Sequence, residues 1–257
     1  MTSFSPSKAT LLVALSTALG AQAAPLQNGD FSQGLSAWSI SGDVSVVKGS
    51  AVGVNLGTAV VLGTASLDFV DDAPAAAGAY NVSGTAATMA GQPAGLEANL
   101  GLGSDAYGPY ALEGSSLAQS FFVTAGQTIS FDWRVLSRDA YAGTGSTDTD
   151  SAWLTWTVNG ATTQTLLGEV GTLTYSGTTS GWKDTGSHTV SFVATTTGTA
   201  RLGFSVLDIY DGDGTSLLAV NNIALAPAVP EPDSLVLLLA GLAVAATTQM
   251  RGEPRQR

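Results

Sequence analysis

Apolar and polar residues alternate in short runs along most of this chain, and nowhere do they adopt the spacing of a long amphipathic helix. The clearest run sets Ile129, Phe131, Trp133 and Val135 against Ser130, Asp132 and Arg134, which predicts a strand with one buried face and one wet face. Trp153 to Val158 leads into Asn159-Gly160, a pair that favours the positive φ values of a two-residue hairpin. Val190 to Phe192 and Leu202 to Val206 read as further strands. Val44 to Val47, Val52 to Leu56 and Ala59 to Leu62 add three more near the start. Residues 71 to 115 are rich in Ala and Gly and predict long loops with one or two strands. Many short antiparallel strands without helices make an all-β fold, and the expectation is a single jelly-roll-like antiparallel β-sandwich over residues 24 to 227.

Composition supports strands and narrows the partners. Charged residues are 11% of the chain against 44% hydrophobic. An ordinary soluble domain carries about 25% charged residues. Gly, Ala, Ser and Thr fill the shortfall, and helix surfaces built from them would be poor. The formal net charge is −11, and residues 24 to 227 hold 17 acidic and 5 basic side chains. Such a surface repels a phosphate backbone, so nucleic acid is excluded as a partner. There is no cysteine, which removes thiol catalysis, disulfides and thiolate metal sites.

Both ends look foreign to the sandwich. Lys8 precedes a short apolar run from Leu11 to Gly20, and Ala21-Gln22-Ala23 is a small-x-small cleavage pattern. Residues 1 to 23 therefore read as a signal peptide, cut between Ala23 and Ala24 and handled by the secretion machinery. At the other end, Pro227, Pro230 and Pro232 hold the chain extended. Asp233 or Ser234 can cap a helix over the uncharged residues 234 to 250. Seventeen residues at 1.5 Å each give ~25 Å, close to the lower limit for a ~30 Å hydrocarbon core. Arg251, Arg255 and Arg257 would stay cytoplasmic and leave residues 24 to 227 outside.

Val229-Pro230-Glu231-Pro232, an apolar segment containing Gly241-Leu242, and a basic end beginning at Arg251 resemble the PEP-CTERM sorting signal. The basic end is interrupted by Gly252, Glu253, Pro254 and Gln256. The resemblance covers residues 229 to 257, within a tail spanning 228 to 257. It implies processing by exosortase, a membrane-embedded enzyme of Gram-negative bacteria, with transient residence in the inner membrane. Display at the cell surface or in the extracellular matrix, in association with exopolysaccharide, follows from the same resemblance. In the middle, Asn28-Gly29-Asp30-Phe31 with Gly34-Leu35 and Trp38 resembles the opening strand of galactose-binding-like jelly rolls. Ser116 to Trp133, and Phe204 to Leu225, resemble domains that often precede PEP-CTERM tails. In those domains the last strand commonly carries an Asp where this chain has Asn221.

No pattern of a catalytic centre emerges, and the chain is expected not to be an enzyme. His188 is the only histidine, it sits at a turn entering a strand, and no Gly-x-Ser-x-Gly elbow accompanies it. One His without Cys also makes a poor zinc site. Asp148 and Asp150 lie in a loop, and adjacent Asp71 and Asp72 cannot face the same way in an extended chain. A glycoside hydrolase needs two carboxyls across a cleft, and nothing in the spacing singles out such a pair. Asp208, Asp211 and Asp213 form a richer cluster. Asp208 shares the parity of Leu202, Phe204 and Val206 and should point inward, where a calcium ion could satisfy it. The competing reading is that Asp211-Gly212-Asp213-Gly214 simply makes a turn. Trp153 and Trp156 have opposite parity, so one of them should face away from the core; Trp182 reads as a loop residue. Three functions stay open, in this order: a structural or adhesive surface protein associated with polysaccharide, a carbohydrate-binding module marked by an exposed aromatic strip, and a glycoside hydrolase marked by a carboxylate pair across a cleft.

Overall fold

A computed structural model describes residues 24–64, 80–82, 85–87, 96–103, 106–108, 111–139, 150–179, 181–209 and 214–228. In chain order the strands are β1 (Ser39–Ser41), β2 (Asp43–Ala51), β3 (Val54–Gly63), β4 (Tyr80–Val82) and β5 (Thr85–Ala87). One helical turn, α1 (Leu96–Leu100), precedes β6 (Ala111–Val123), β7 (Thr128–Ser137), β8 (Ser151–Val158) and β9 (Ala161–Glu169). Then come β10 (Gly177–Thr179), β11 (Trp182–Asp184), β12 (His188–Val193), β13 (Gly198–Ile209) and β14 (Ser216–Ala226). All pairings among them are antiparallel.

Two sheets make the sandwich. One runs β1-β6-β13-β8-β9 and the other β10-β11-β7-β14-β3-β2, with β12 also paired to β7. β6 lies beside β13 in the first sheet, and β7 lies beside β14 in the second. The crossings from β6 to β7 and from β13 to β14 therefore run as one rolled ribbon, which is jelly-roll wrapping. Alternation does the rest. Ile129, Phe131, Trp133 and Val135 of β7 meet Leu202, Phe204 and Val206 of β13 in the central core, with Phe131 and Phe204 edge-to-face at 4.8 Å.

Each sheet is also covered on its outer face. Leu96 and Leu100 of α1 seal Ala118 and Leu207 on the first sheet. Leu136, Leu217 and Val61 form a second small core on the other sheet, together with Trp182. Trp182 is thus the first residue of β11 and 1% exposed, not a loop residue, and Arg138 lies over its ring at 4.7 Å.

Hairpins fall where the turn residues allow. Asn159 and Gly160 have φ of 50° and 84°, the signature of a type I′ turn joining β8 to β9. The three early strands expected from Val44 to Leu62 are two, because Val52 (φ 47°) and Gly53 (φ 83°) turn the chain between β2 and β3. The opening segment is not a strand. Residues 29–37 make successive turns, fastened by the Asn28 side chain, which donates to the Gly34 and Ser36 carbonyls and accepts from the Gln33 amide. Trp38 Nε1 donates to the Asn28 carbonyl, and Phe31 is fully buried beside Trp38. Gly29 is needed because a Cβ there would lie 2.0 Å from the Ile223 carbonyl oxygen.

Candidate functional site

Among the described strands β9 is an outer strand of its sheet, and β12 is an outer strand on β7 in the other. Where these edges part, the gap between the sheets opens to solvent. β8 sends Leu154 and Trp156 into the gap. In register with them, Thr165 faces Leu154 and Thr163 faces Trp156, so both hydroxyls share the inward side. β12 answers with Val190 and Phe192, paired to Phe131 and Ile129 and so also inward. These six side chains line a groove of about 280 Å³.

The groove has a rigid aromatic wall. Phe192 meets Trp156 edge-to-face at 5.1 Å, and Phe121 backs the indole at 6.0 Å. Trp156 and Phe192 are half-buried, whereas Thr163 and Thr165 are exposed. Among the described residues neither threonine hydroxyl has a hydrogen-bond partner, and none of the lining groups is charged. The site therefore offers an apolar plate with free donor-acceptor groups on the facing strand. That arrangement suits a ligand with one apolar face and a hydroxyl rim. None of its six lining side chains is an acid or a base at neutral pH.

The two tryptophans of β8 separate as their parity requires. Trp153 turns to the outer face, where it packs on Tyr107 at 5.7 Å and donates to Ser151 Oγ at 2.8 Å. Burial raises the Tyr107 hydroxyl pKa, partly offset by hydrogen bonds to Ser205, Thr155 and Gln164. Trp156 is the one that reaches the open groove. Phe192, Thr163 and Thr165 did not stand out in the sequence. The available signal was Ala161-Thr162-Thr163-Gln164-Thr165, a strand with no large apolar residue on either face and hence an edge wet on both sides.

Asp208 is fully buried near the end of β13 and is engaged with other groups; Asp211 and Asp213 lie outside the described residues. Asp139 and Asp150 are buried as well, and burial together with their negative charges pushes the Tyr175 hydroxyl pKa up. Among the described residues no three acidic or histidine side chains converge on one metal position. His188 opens β12, exposed, with its ring stacked on Trp133 at 4.6 Å. Ala24 accepts a backbone hydrogen bond from Phe122 at 2.9 Å. Asp71, Asp72, Asp148, Ala23, and the tail bearing Val229, Pro230, Glu231, Pro232 and Arg251 lie outside the described residues. Among the described residues no helix is long and apolar enough to cross a membrane.

No protein family and no curated protein matches the sequence. Among solved structures, the chain is similar to TmCBM61 in complex with β-1,4-galactotriose, at 15% identity and TM-score 0.38, over 78% of this chain and 95% of that one. It is also similar to a non-crystalline-cellulose-specific module, CBM28, at 11% identity and TM-score 0.40, over 80% and 96%. A third is the enzymatically active domain of bacteriophage CBA120 tailspike protein 4, at 13% identity and TM-score 0.37, over 79% and 21%. What those proteins bind is theirs; the groove of this chain is read from its own side chains.

Proposed function

We propose that this protein is an exported surface protein whose sandwich binds a neutral polysaccharide through the groove at Trp156. The observation that carries the reading is the pairing of the Trp156–Phe192 wall with the free hydroxyls of Thr163 and Thr165. A pyranose has an apolar C–H face and a rim of hydroxyls, and the groove presents a partner to each. The groove is open, so a glycan chain can lie across it while one or two sugar residues sit inside. Neutral glycans are favoured over acidic ones because a chain of net charge −11 repels a polyanion. The signal peptide and the PEP-CTERM-like tail supply the delivery: export, transient anchoring by residues 234 to 250, and exosortase processing at Pro230-Glu231-Pro232. Binding an extracellular polysaccharide then makes the protein adhesive in a matrix, with no chemistry required of it.

A glycan array probed with the purified protein and with its Trp156→Ala variant tests this. Removing an aromatic anchor at the centre of a contact costs at least about 2 kcal/mol, or about 30-fold in affinity. Neutral polysaccharides should bind the parent and lose most of their signal with the variant. Equal binding by both proteins, or binding confined to acidic glycans, would reject the groove.

A further inference from the structure

A second recess lies on the outer face of the other sheet, away from the groove. Its floor is made by small residues on neighbouring strands, Ala59 of β3 and Ala219 of β14. Arg134 of β7 stands directly across from Ala219, and Asn221 follows on the same face. Asn55 and Leu56, at the start of β3, Trp133 of β7, and Ser187, just before β12, complete the lining of a cavity of about 200 Å³.

Arg134 and Asn55 beside this recess are each held by a fixed partner. Arg134 makes a forked ion pair with Asp184, with Nε donating to Oδ1 at 2.6 Å and Nη2 donating to Oδ2. The Gly186 amide donates to the same carboxylate at 2.8 Å. Burial raises the Asp184 pKa, but the Arg134 and Gly186 hydrogen bonds and the Arg134 charge outweigh it and hold it below the usual carboxylate range. Asn55 Oδ1 accepts from the Gly57 amide at 3.0 Å, which holds the amide group in place. Asp132, beside Asn221 in the ladder, is already taken by Thr189 and Asn222. Among the described residues the side chains of Asn221 and Ser187 have no hydrogen-bond partner.

From this arrangement we infer that the recess is a second carbohydrate site, taking a single neutral sugar residue at a chain end. It extends the polysaccharide-binding reading. Three features select that ligand. The volume is about 200 Å³, smaller than the groove's about 280 Å³, which suits one sugar unit. The only cation, Arg134, is neutralised by Asp184, so an anionic sugar gains no net charge attraction. Amide and hydroxyl groups both give and accept hydrogen bonds, as sugar hydroxyls do. Ser187 borders the recess, while Val190 and Phe192 of the following strand face the groove, so the two sites lie on opposite sides of one sheet edge. A domain with both sites joins two glycan chains, and the matrix gains a cross-link without a second domain.

The test is the number of sites per chain. The full-length protein in mild detergent is titrated calorimetrically with neutral methyl glycosides (galactoside, glucoside, mannoside and rhamnoside) and with methyl glucuronide. At least one neutral glycoside should occupy two sites in the parent. Asn221→Leu, which fills the recess, should leave one site. Asn221→Ala, which removes the amide without adding bulk, should weaken that site by up to roughly tenfold. Trp156→Ala should remove the other site. Loss of the site with Asn221→Leu but full retention with Trp156→Ala would support the recess while rejecting the groove. A single site that vanishes with Trp156→Ala and ignores both Asn221 variants would overturn the inference, as would binding of the glucuronide alone or of no glycoside.

Discussion

Trp156 and Phe192 belong to different sheets and meet edge-to-face at 5.1 Å, with Phe121 closing the back of the indole. The contact bridges the parted edges of the sandwich and holds the indole plate in one orientation. A binding surface whose aromatic group is already fixed loses little conformational entropy when a ligand arrives.

The hydroxyls opposite that plate should contribute to binding and not to folding. Thr163→Val and Thr165→Val keep the β-branched shape that suits a strand and remove only the hydroxyl. Each lost hydrogen bond is worth about 0.5–1.5 kcal/mol, so polysaccharide affinity should fall by roughly two- to tenfold per substitution. Melting temperatures should stay within a degree or two of the parent. Calorimetric titration beside thermal melts of the same samples checks both halves; unchanged affinity would place the sugar elsewhere.

The acid limb of stability should report the Arg134–Asp184 pair. Asp184 has a lowered pKa in the folded protein, so it binds its proton less readily folded than unfolded. Its contribution is fully present above the unfolded carboxylate value and is lost as pH falls through the folded value. Urea denaturation midpoints measured from pH 6 down to pH 2.5 should therefore drop below about pH 4. In Asp184→Asn that part of the decline should be absent, at the cost of lower stability near neutrality. Parallel curves for parent and variant would deny the pair this role.

Calcium binding by Asp208, Asp211 and Asp213 is tested by linkage. An ion that binds only the folded state stabilises it by about 2.7 kcal/mol at a free concentration 100 times Kd. For a chain of this size each kcal/mol shifts the midpoint by roughly 2–4 °C. Adding calcium should raise the melting temperature by several degrees, magnesium should do less, and Asp208→Asn should shrink the effect. A midpoint unchanged between millimolar calcium and chelator would leave Asp211-Gly212-Asp213-Gly214 as a turn.

Processing can be followed at both ends. Sequencing the displayed protein should begin at Ala24, and an intact Met1 would refute export by cleavage. In a host carrying exosortase, Glu231→Ala should slow removal of the tail without shifting the melting temperature, because the motif lies outside every strand predicted from the sequence. Equal processing rates for parent and variant would show that the Pro-Glu-Pro motif is not read.

Local pattern determined much of this molecule. The alternation from Ile129 to Val135 could only be a half-buried strand, and Asn159-Gly160 could only reverse the chain, since both depend on neighbours two residues away. Parity alone also sent Trp153 and Trp156 to opposite faces. Tertiary structure decided which of those tryptophans is open, because openness depends on where the opposing sheet stops. Thr163 and Thr165 became site residues only when β9 was left as an outer strand above β12, and Phe192 only when β12 paired with β7. Trp182 reads as a loop residue between Gly181 and Lys183, yet the outer face of β7 and β14 buries it. Likewise Arg134 and Asp184 are 50 residues apart and meet because β11 pairs with the end of β7. Contacts across such distances are set by strand order and register, which no short stretch of chain encodes by itself.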